Sequence, residues 1–408
     1  MYLGIDLGTS GVKVLLMDEN QHVLGSATGS LTVQRPHAGW AEQAPADWIG
    51  ATRAALNELS SRHDLSGVKG IGLSGQMHGA VTLDASDQVI RPAILWNDTR
   101  SHAQAARLDA NPDFRAITGN IVFPGFTAPK LVWMAENEPE AFARVDCVLL
   151  PKDYLRLWLT GERVAEMSDA AGTSWLDTGG RVWSDQLLAA SGMRRDQMPR
   201  LIEGSENSGG LRPDVAAEFG MQPGTPVAGG AGDNAATAIG AGTVTEGQGF
   251  VSLGTSGVLF AATDRYLPRP ESAVHAFCHA LPGMWHQMGV ILSASAAMEW
   301  LSSIVGRKPA ELTAELGHEL RAPGEVTFLP YLSGERTPHN DAAARASFDG
   351  LSARTDRAAM TQAVLEGVAF AFADNLAALR AAGSDPKALL ALGGGARSDY
   401  WLQVIATA

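Results

Sequence analysis

The apolar positions near the start of the chain fall in two runs. Tyr2, Leu3 and Ile5 come first, and Val12, Val14, Leu15 and Leu16 follow, with Gly8-Thr9-Ser10-Gly11 between them. Two such runs around a short Gly-rich turn predict a β-hairpin. Residues 18–21 read as a turn and 23–31 as a third antiparallel strand. After a loop holding Pro36, His37 and Gly39, the residues Trp48, Ala51, Ala55, Leu56 and Leu59 recur at helical spacing. That spacing predicts an amphipathic helix over residues 45–62. A short apolar strand over 68–73 runs into Ser74-Gly75-Gln76-Met77-His78-Gly79, and another strand pair follows up to Trp96. The pattern over 101–161 is helical, and 165–176 contains a polar loop at Ser168-Asp169.

The second half restarts with the same kind of pattern. Residues 223–242 read as a strand, a Gly loop and a helix, and as the connection between halves. Strands are expected over 250–261 and around 275–292. A long helix is expected over 357–382, with Ala363, Val364, Gly367, Val368 and Phe370 on its buried stripe. A strand at 389–392 then enters Gly393-Gly394-Gly395, and a helix begins near Asp399. The five residues Leu7 to Gly11, LGTSG, recur unchanged as Leu253 to Gly257, again between an incoming and an outgoing apolar run. Recurrence in the same strand–turn–strand context points to a duplicated half.

Composition narrows the class. A chain of 408 residues is long for one core, so two domains are expected. With 45% hydrophobic and 18% charged residues and 45 glycines, it has the make-up of a globular α/β protein. The net charge of −13, with no basic run, gives no support to nucleic-acid or anionic-membrane binding. The two cysteines, Cys147 and Cys278, lie far apart, which argues against a disulfide framework or zinc site and fits a reducing cytoplasm. The first residues pass directly into a strand, so no signal peptide is expected. The most apolar later stretch, 289–298, is too short for a transmembrane helix and holds Ser293 and Ser295.

Several positions carry candidate chemistry. Asp6, the hydroxyls of Thr9 and Ser10, and Lys13 close behind suit a phosphate with its metal ion. Asp233 follows Gly229-Gly230-Ala231-Gly232 at the start of a small-residue helix. It reads either as an N-cap or as a general base taking a proton from a hydroxyl. The same run loosely matches a dinucleotide fingerprint, but the next strand ends at Ser252-Leu253-Gly254 without the acid that binds ribose. No P-loop or protein-kinase signature occurs, and Gly72-Leu73-Ser74-Gly75-Gln76 misses the serine-hydrolase elbow at its last position. His275 and His279 on a strand would lie about 13 Å apart, too far for one metal. They read as packing residues. The ten tryptophans read as core and cleft walls. Gly393-Gly394-Gly395 after a strand reads either as a tight turn or as a place where a ligand approaches the backbone.

Taken together these residues resemble the FGGY family of carbohydrate kinases, within the actin/hexokinase/Hsp70 ATPase superfamily, and are most similar to its bacterial members that phosphorylate xylulose. The resemblance runs over essentially the whole chain. It rests on 1–13, GQMHG at 75–79, ILWND at 94–98, FTAPKLVW at 126–133 and LPKDYL at 150–155. It continues through GDNA at 232–235, SLGTSG at 252–257, YLSGERTPH at 331–339 and GGGARS at 393–398.

The resemblance implies an α/β protein of two ribonuclease-H-like domains with a cleft between them. Residues 1–243 would form an N-terminal, sugar-binding domain. Residues 244–408 would form a C-terminal, nucleotide-binding domain that is shortened, because family members continue past the adenosine-site loop. Ala359-Met360 also stands where the family usually has a polar residue. The implied reaction is ATP-dependent phosphorylation of D-xylulose to D-xylulose 5-phosphate, with Asp233 as general base. Asp6 would hold Mg²⁺. Thr9, Lys13, Gly254 and Thr255 would contact the phosphates, and Gly394, Gly395 and Ala396 the adenosine. Met77, His78 and Asp233 would bind the sugar; a buried core histidine is the other reading of His78. Glycerol is disfavoured, since glycerol kinases carry Arg-Glu where Met77-His78 stands. Ribulose or gluconate kinases, and an actin- or Hsp70-like ATPase module, are the alternatives. Partners would be the sugar and ATP, without nucleic acid or membrane, in the cytoplasm; a homodimer is compatible with the resemblance.

Overall fold

The computed structural model describes all 408 residues. They form two compact units, Met1–Gly240 with Phe277–Met284, and Ala241–Ala276 with Trp285–Ala408. The strip Phe277–Met284, expected within the second half, therefore packs with the first unit.

In the first unit the opening hairpin is built from strands Tyr2–Leu7 and Gly11–Met17, in register from Tyr2↔Met17 to Leu7↔Val12. Val23–Ser30 adds antiparallel to its outer side. On the inner side Ile71–Gly75 runs parallel to the first strand, followed by Pro226–Ala228 and Asn207–Gly210. Ala231–Gly232 continues beside the end of Ile71–Gly75, with Gly232 opposite Gly75. Leu3, Ile5 and Leu7, with Val12, Val14 and Leu16, are buried on one face of this sheet. The helix Pro45–Ser60 supplies Trp48, Ala51, Ala55, Leu56 and Leu59 to the same core. Each fully buried aliphatic side chain there is worth about 1.5–3 kcal/mol. A slip of one residue would turn the whole set to the other face, so the register that places Asp6 is tightly fixed.

The region expected to be helical over 101–161 holds five helices, with the short strand Cys147–Leu149 among them. Before Trp96, Ala80 bridges Ile94 and Leu83 bridges Val89, both antiparallel. Val81–Leu83 pairs with Cys147–Leu149, and Ala93–Ile94 pairs with Glu42–Gln43. Ser168 and Asp169 are not in a solvated loop; they lie in the short helix Met167–Ala170 and are fully buried. Their partners come from distant elements, which a local reading does not register.

The second unit repeats the plan of the first. Its sheet runs from His275 and Ala276 at the edge through Trp285–Ile291, Gly257–Thr263, Gln248–Leu253 and Ala388–Leu392. The last four are joined antiparallel, antiparallel and parallel, as are Val23–Ser30, Gly11–Met17, Tyr2–Leu7 and Ile71–Gly75. The two LGTSG turns occupy corresponding hairpins, so the repeat marks a duplicated fold.

The helix Arg357–Ala381 buries Val364, Gly367, Val368, Ala371 and Phe372. Phe370, expected on that stripe, is 54% exposed. Six residues from Val364 it falls about 240° round the helix, while 371 and 372 return to the buried face. By length and composition this is the one helix apolar enough to cross a membrane, and 67% of its apolar window is buried inside the fold, as for a core helix.

Candidate active site

Three loops converge in the first unit at the C-terminal ends of parallel strands, where open α/β sheets place ligands. The first follows Ile71–Gly75. Met77 is buried, with its side chain against Gly232 and Gly172. His78 adopts φ = +67°, a left-handed conformation costing of order 1 kcal/mol outside glycine. Its surroundings hold it there. Its carbonyl accepts from Thr127 Oγ1 at 3.1 Å and from Lys130 Nζ at 2.8 Å. Its ring stacks on Phe126 at 4.5 Å, and its Nδ1 meets the carbonyl of Gly172 at 2.8 Å. A carbonyl only accepts, so Nδ1 carries hydrogen, which in the neutral ring makes Nε2 the acceptor. Lys130 also donates to the carbonyl of Gly125 at 2.7 Å. Burial drives the Lys130 ammonium well below its usual pKa, with the charge of Asp98 opposing.

The second loop, Gly229–Gly232, delivers Asp233 to the start of the helix Asp233–Gly240. Asp233 Oδ1 accepts from the backbone N–H of Asn234 at 2.7 Å and from its side-chain amide at 2.9 Å. An N-cap would instead accept from N–H groups two or three residues on. Asp233 is exposed to solvent, yet protein atoms crowd its carboxyl enough to desolvate it. Desolvation there pushes its pKa up to about 6, the Asp6 charge adds to the rise, and the Asn234 hydrogen bonds oppose it.

The third element is the opening hairpin. Asp6 is the last residue but one of its first strand, opposite Lys13, and its Oδ1 accepts from Ser74 Oγ at 2.7 Å. Both line a pocket of about 520 Å³ with Ser74, Gly230, Ala231 and Ala236. Thr9, in the turn, spends its hydroxyl inside the fold. It donates to Gln76 Oε1 at 2.9 Å and accepts from Trp96 Nε1 at 3.0 Å. Trp96 is 48% exposed, a ring held upright by this bond.

In the second unit, Gly254 and Thr255 form the turn between Gln248–Leu253 and Gly257–Thr263. Their carbonyls accept from the amides of Ser295 and Ala294 at 2.9 and 3.0 Å. Gly394, Gly395 and Ala396 follow the strand Ala388–Leu392. Gly394 and Gly395 line a second pocket, of about 580 Å³, with Ser295, Met298, Ser398 and Trp401. A β-carbon on Gly395 would come within 2.8 Å of both Leu253 and Trp401, so this loop must be glycine to lie so close.

No cluster of three or more His, Cys, Asp or Glu side chains exists to cage a metal ion. Asp6 and Asp233 are near enough for one charge to raise the pKa of the other. One or two carboxylates, completed by water and substrate phosphates, is how proteins hold Mg²⁺. The donor set therefore fits that ion.

Residues 1–240 match the N-terminal domain of the FGGY family of carbohydrate kinases, and residues 249–408 match its C-terminal domain. The chain belongs to the FGGY family of carbohydrate kinases. It is a transferase acting on a sugar with ATP, and its fold is the actin/hexokinase type. The Escherichia coli xylulose kinase is 52% identical over 410 residues, covering 100% of this chain and 84% of the relative. The crystal structure of a "xyloylose kinase" from Brucella ovis superimposes with TM-score 0.98 at 66% identity, covering 100% of this chain and 84% of that one. The xylulose kinase structure from Rhodospirillum rubrum gives TM-score 0.92 at 30% identity, covering 99% and 84%.

In this FGGY kinase, the first unit gathers Asp6, Lys13, Met77, His78 and Asp233, while Gly254, Thr255, Gly394, Gly395 and Ala396 lie in the second. Sequence reasoning gave no role to Lys130, Thr127 or Gly172, which together hold His78. A lysine on the stripe formed by Thr127, Leu131 and Met134 was the available signal, since a buried cation on an apolar helix face needs polar partners. Gly172 left no local sign.

Proposed function

We propose that this FGGY kinase transfers the γ-phosphoryl group of ATP to the C5 hydroxyl of D-xylulose, with Asp233 taking the proton of that hydroxyl. The O5–P bond forms as the bond from phosphorus to the β–γ bridging oxygen breaks, and ADP leaves with the electron pair. The observation that carries this reading is the Asp233 carboxyl, raised to about 6 beside Asp6 and next to the Met77–His78 loop. At pH 7 such a carboxylate is ionised roughly ten to one, yet is more basic than an ordinary aspartate. The choice of D-xylulose rests on the similarity to xylulose kinases.

The remaining roles are those that the family resemblance implies. His78 and Met77 line the sugar. Thr9 and Lys13 contact phosphate, Gly254 and Thr255 contact phosphate from the second unit's own turn, and Gly394 to Ala396 flank the adenosine. Asp6 would hold Mg²⁺ through water; the ion, when bound, neutralises charge on the phosphates. Little covalent work falls to the protein in phosphoryl transfer, so positioning and charge neutralisation carry most of the rate. The reaction belongs in the cytoplasm, where ATP is supplied. A panel of sugars and polyols assayed for ATP turnover tests the substrate. D-xylulose should give the highest kcat/KM, and a higher value for ribulose, gluconate or glycerol would overturn it.

A further inference from the structure

Around the backbone that leads into Asp233 lies a group of charged side chains that make no direct contribution to phosphoryl transfer. Lys152, Asp153, Arg156, Glu166 and Asp169 are all 0% exposed. Lys152 Nζ reaches Asp153 at 2.7 Å, Asp169 at 2.9 Å and Glu166 at 3.1 Å, and Arg156 Nη1 reaches Asp153 at 2.6 Å. Burial works against the Lys152 ammonium, but Asp153, Asp169 and Glu166 outweigh it and hold its pKa above the usual value. Burial, with Asp153 and Glu166 alongside, pushes Asp169 up to about 8 against the pull of Lys152. With Asp169 protonated, two cations meet two anions and the cluster is neutral. Buried ion pairs are often no more stabilising than apolar side chains of the same volume. Stability alone does not account for such a group.

Its outward contacts include the Gly-rich loop. Arg156 Nη1 donates to the carbonyl of Val164 at 2.7 Å, and its Nη2 donates to the carbonyl of Gly229. Glu166 Oε1, paired with Lys152, accepts from Ser168 Oγ at 3.0 Å. Ser168 Oγ in turn accepts from the backbone N–H of Gly232 at 3.1 Å. Of the four residues before Asp233, Gly229, Gly230 and Gly232 have no side chain. A backbone of that composition is conformationally loose by itself and must be held from outside.

We propose that Ser168 and Arg156 are positioning residues for the base: the buried chain Lys152–Glu166–Ser168, with Arg156, clamps the Gly229–Gly232 backbone and so fixes the Asp233 carboxylate where the hydroxyl proton leaves. The proposal rests on Asp233 being the base.

Ser168→Ala in the full chain tests it, read by amide hydrogen exchange at Gly232 and by the split between kcat and KM. The Gly232 amide should exchange faster, kcat should fall roughly 10- to 100-fold through misplacement of the base, and the KM for ATP should hold. Ser168→Cys keeps the volume but offers a weak acceptor, and should move both readouts in the same direction by less if the alanine variant folds poorly. A folded Ser168 variant with wild-type kcat overturns the proposal, as does unchanged exchange at Gly232. Asp233→Asn in the same assay separates the two ideas. Its inactivity keeps Asp233 as base even where Ser168 proves dispensable, and its retained activity removes the base itself.

Discussion

The carbonyl of Gly172 accepts the Nδ1 hydrogen of His78 at 2.8 Å, and a β-carbon at Gly172 would lie 2.4 Å from His78 Cε1. The glycine thus both orients the ring and leaves the space it occupies. Gly172→Ala should push the imidazole off this acceptor. The loss of one such hydrogen bond is worth about 0.5–1.5 kcal/mol, so the KM for xylulose should rise by roughly 2- to 10-fold with the KM for ATP unchanged. Steady-state kinetics in each substrate checks this. An unchanged sugar KM would return His78 to a packing role.

Asp6 is the carboxylate near the end of the first strand, bonded to Ser74 and set across from Lys13. Asp6→Asn should raise the Mg²⁺ concentration needed for half-maximal turnover by roughly 10- to 100-fold, the range seen when an outer-sphere partner of a metal is lost. Xylulose binding measured by calorimetry should survive. Lost sugar affinity with normal Mg-ATP affinity would reverse the assignment of the two substrates.

Asp169 gives a stability prediction with a definite sign. Its carboxyl titrates at about 8 in the fold against 3.8 in an ordinary aspartate. Below about pH 4 both folded and unfolded chains hold the proton, and the residue has no effect. As pH rises toward 8 the unfolded chain releases the proton and the folded one keeps it, so this group destabilises the fold progressively, and the effect levels off above 8. Asp169→Asn removes that contribution. In denaturant melts its stability relative to the parent chain should improve from pH 4 to pH 8, whereas parallel curves would contradict a protonated Asp169.

Much of this was legible in the sequence, for physical reasons. The opening hairpin, the helix at 45–60 and the LGTSG repeat depend on local alternation, helical period and turn chemistry, which the chain carries on its face. Asp6 stood out beside its Gly-rich turn and Asp233 after its Gly loop, whereas Met77, His78 and the adenosine role of Gly394–Ala396 came only with the family resemblance. What stayed hidden depends on partners far along the chain. Ser168 and Asp169 read as a polar loop because Lys152 and Gly232, which bury and bond them, lie elsewhere in sequence. The strip Phe277–Met284 joins the first unit through contacts such as Phe126 with Phe277, at 6.0 Å, which no local pattern encodes. Phe370 was misplaced for a simpler reason, a helical period drawn one residue short.

The central claim is that Asp233 is the base. Xylulose-dependent ATP turnover by Asp233→Asn, measured beside sugar binding by calorimetry, tests it most directly. The variant should still bind xylulose and lose at least about 10²-fold in kcat, the low end for general-base catalysis. A variant that keeps most of its kcat would contradict the account and leave Asp233 as no more than the first residue of its helix.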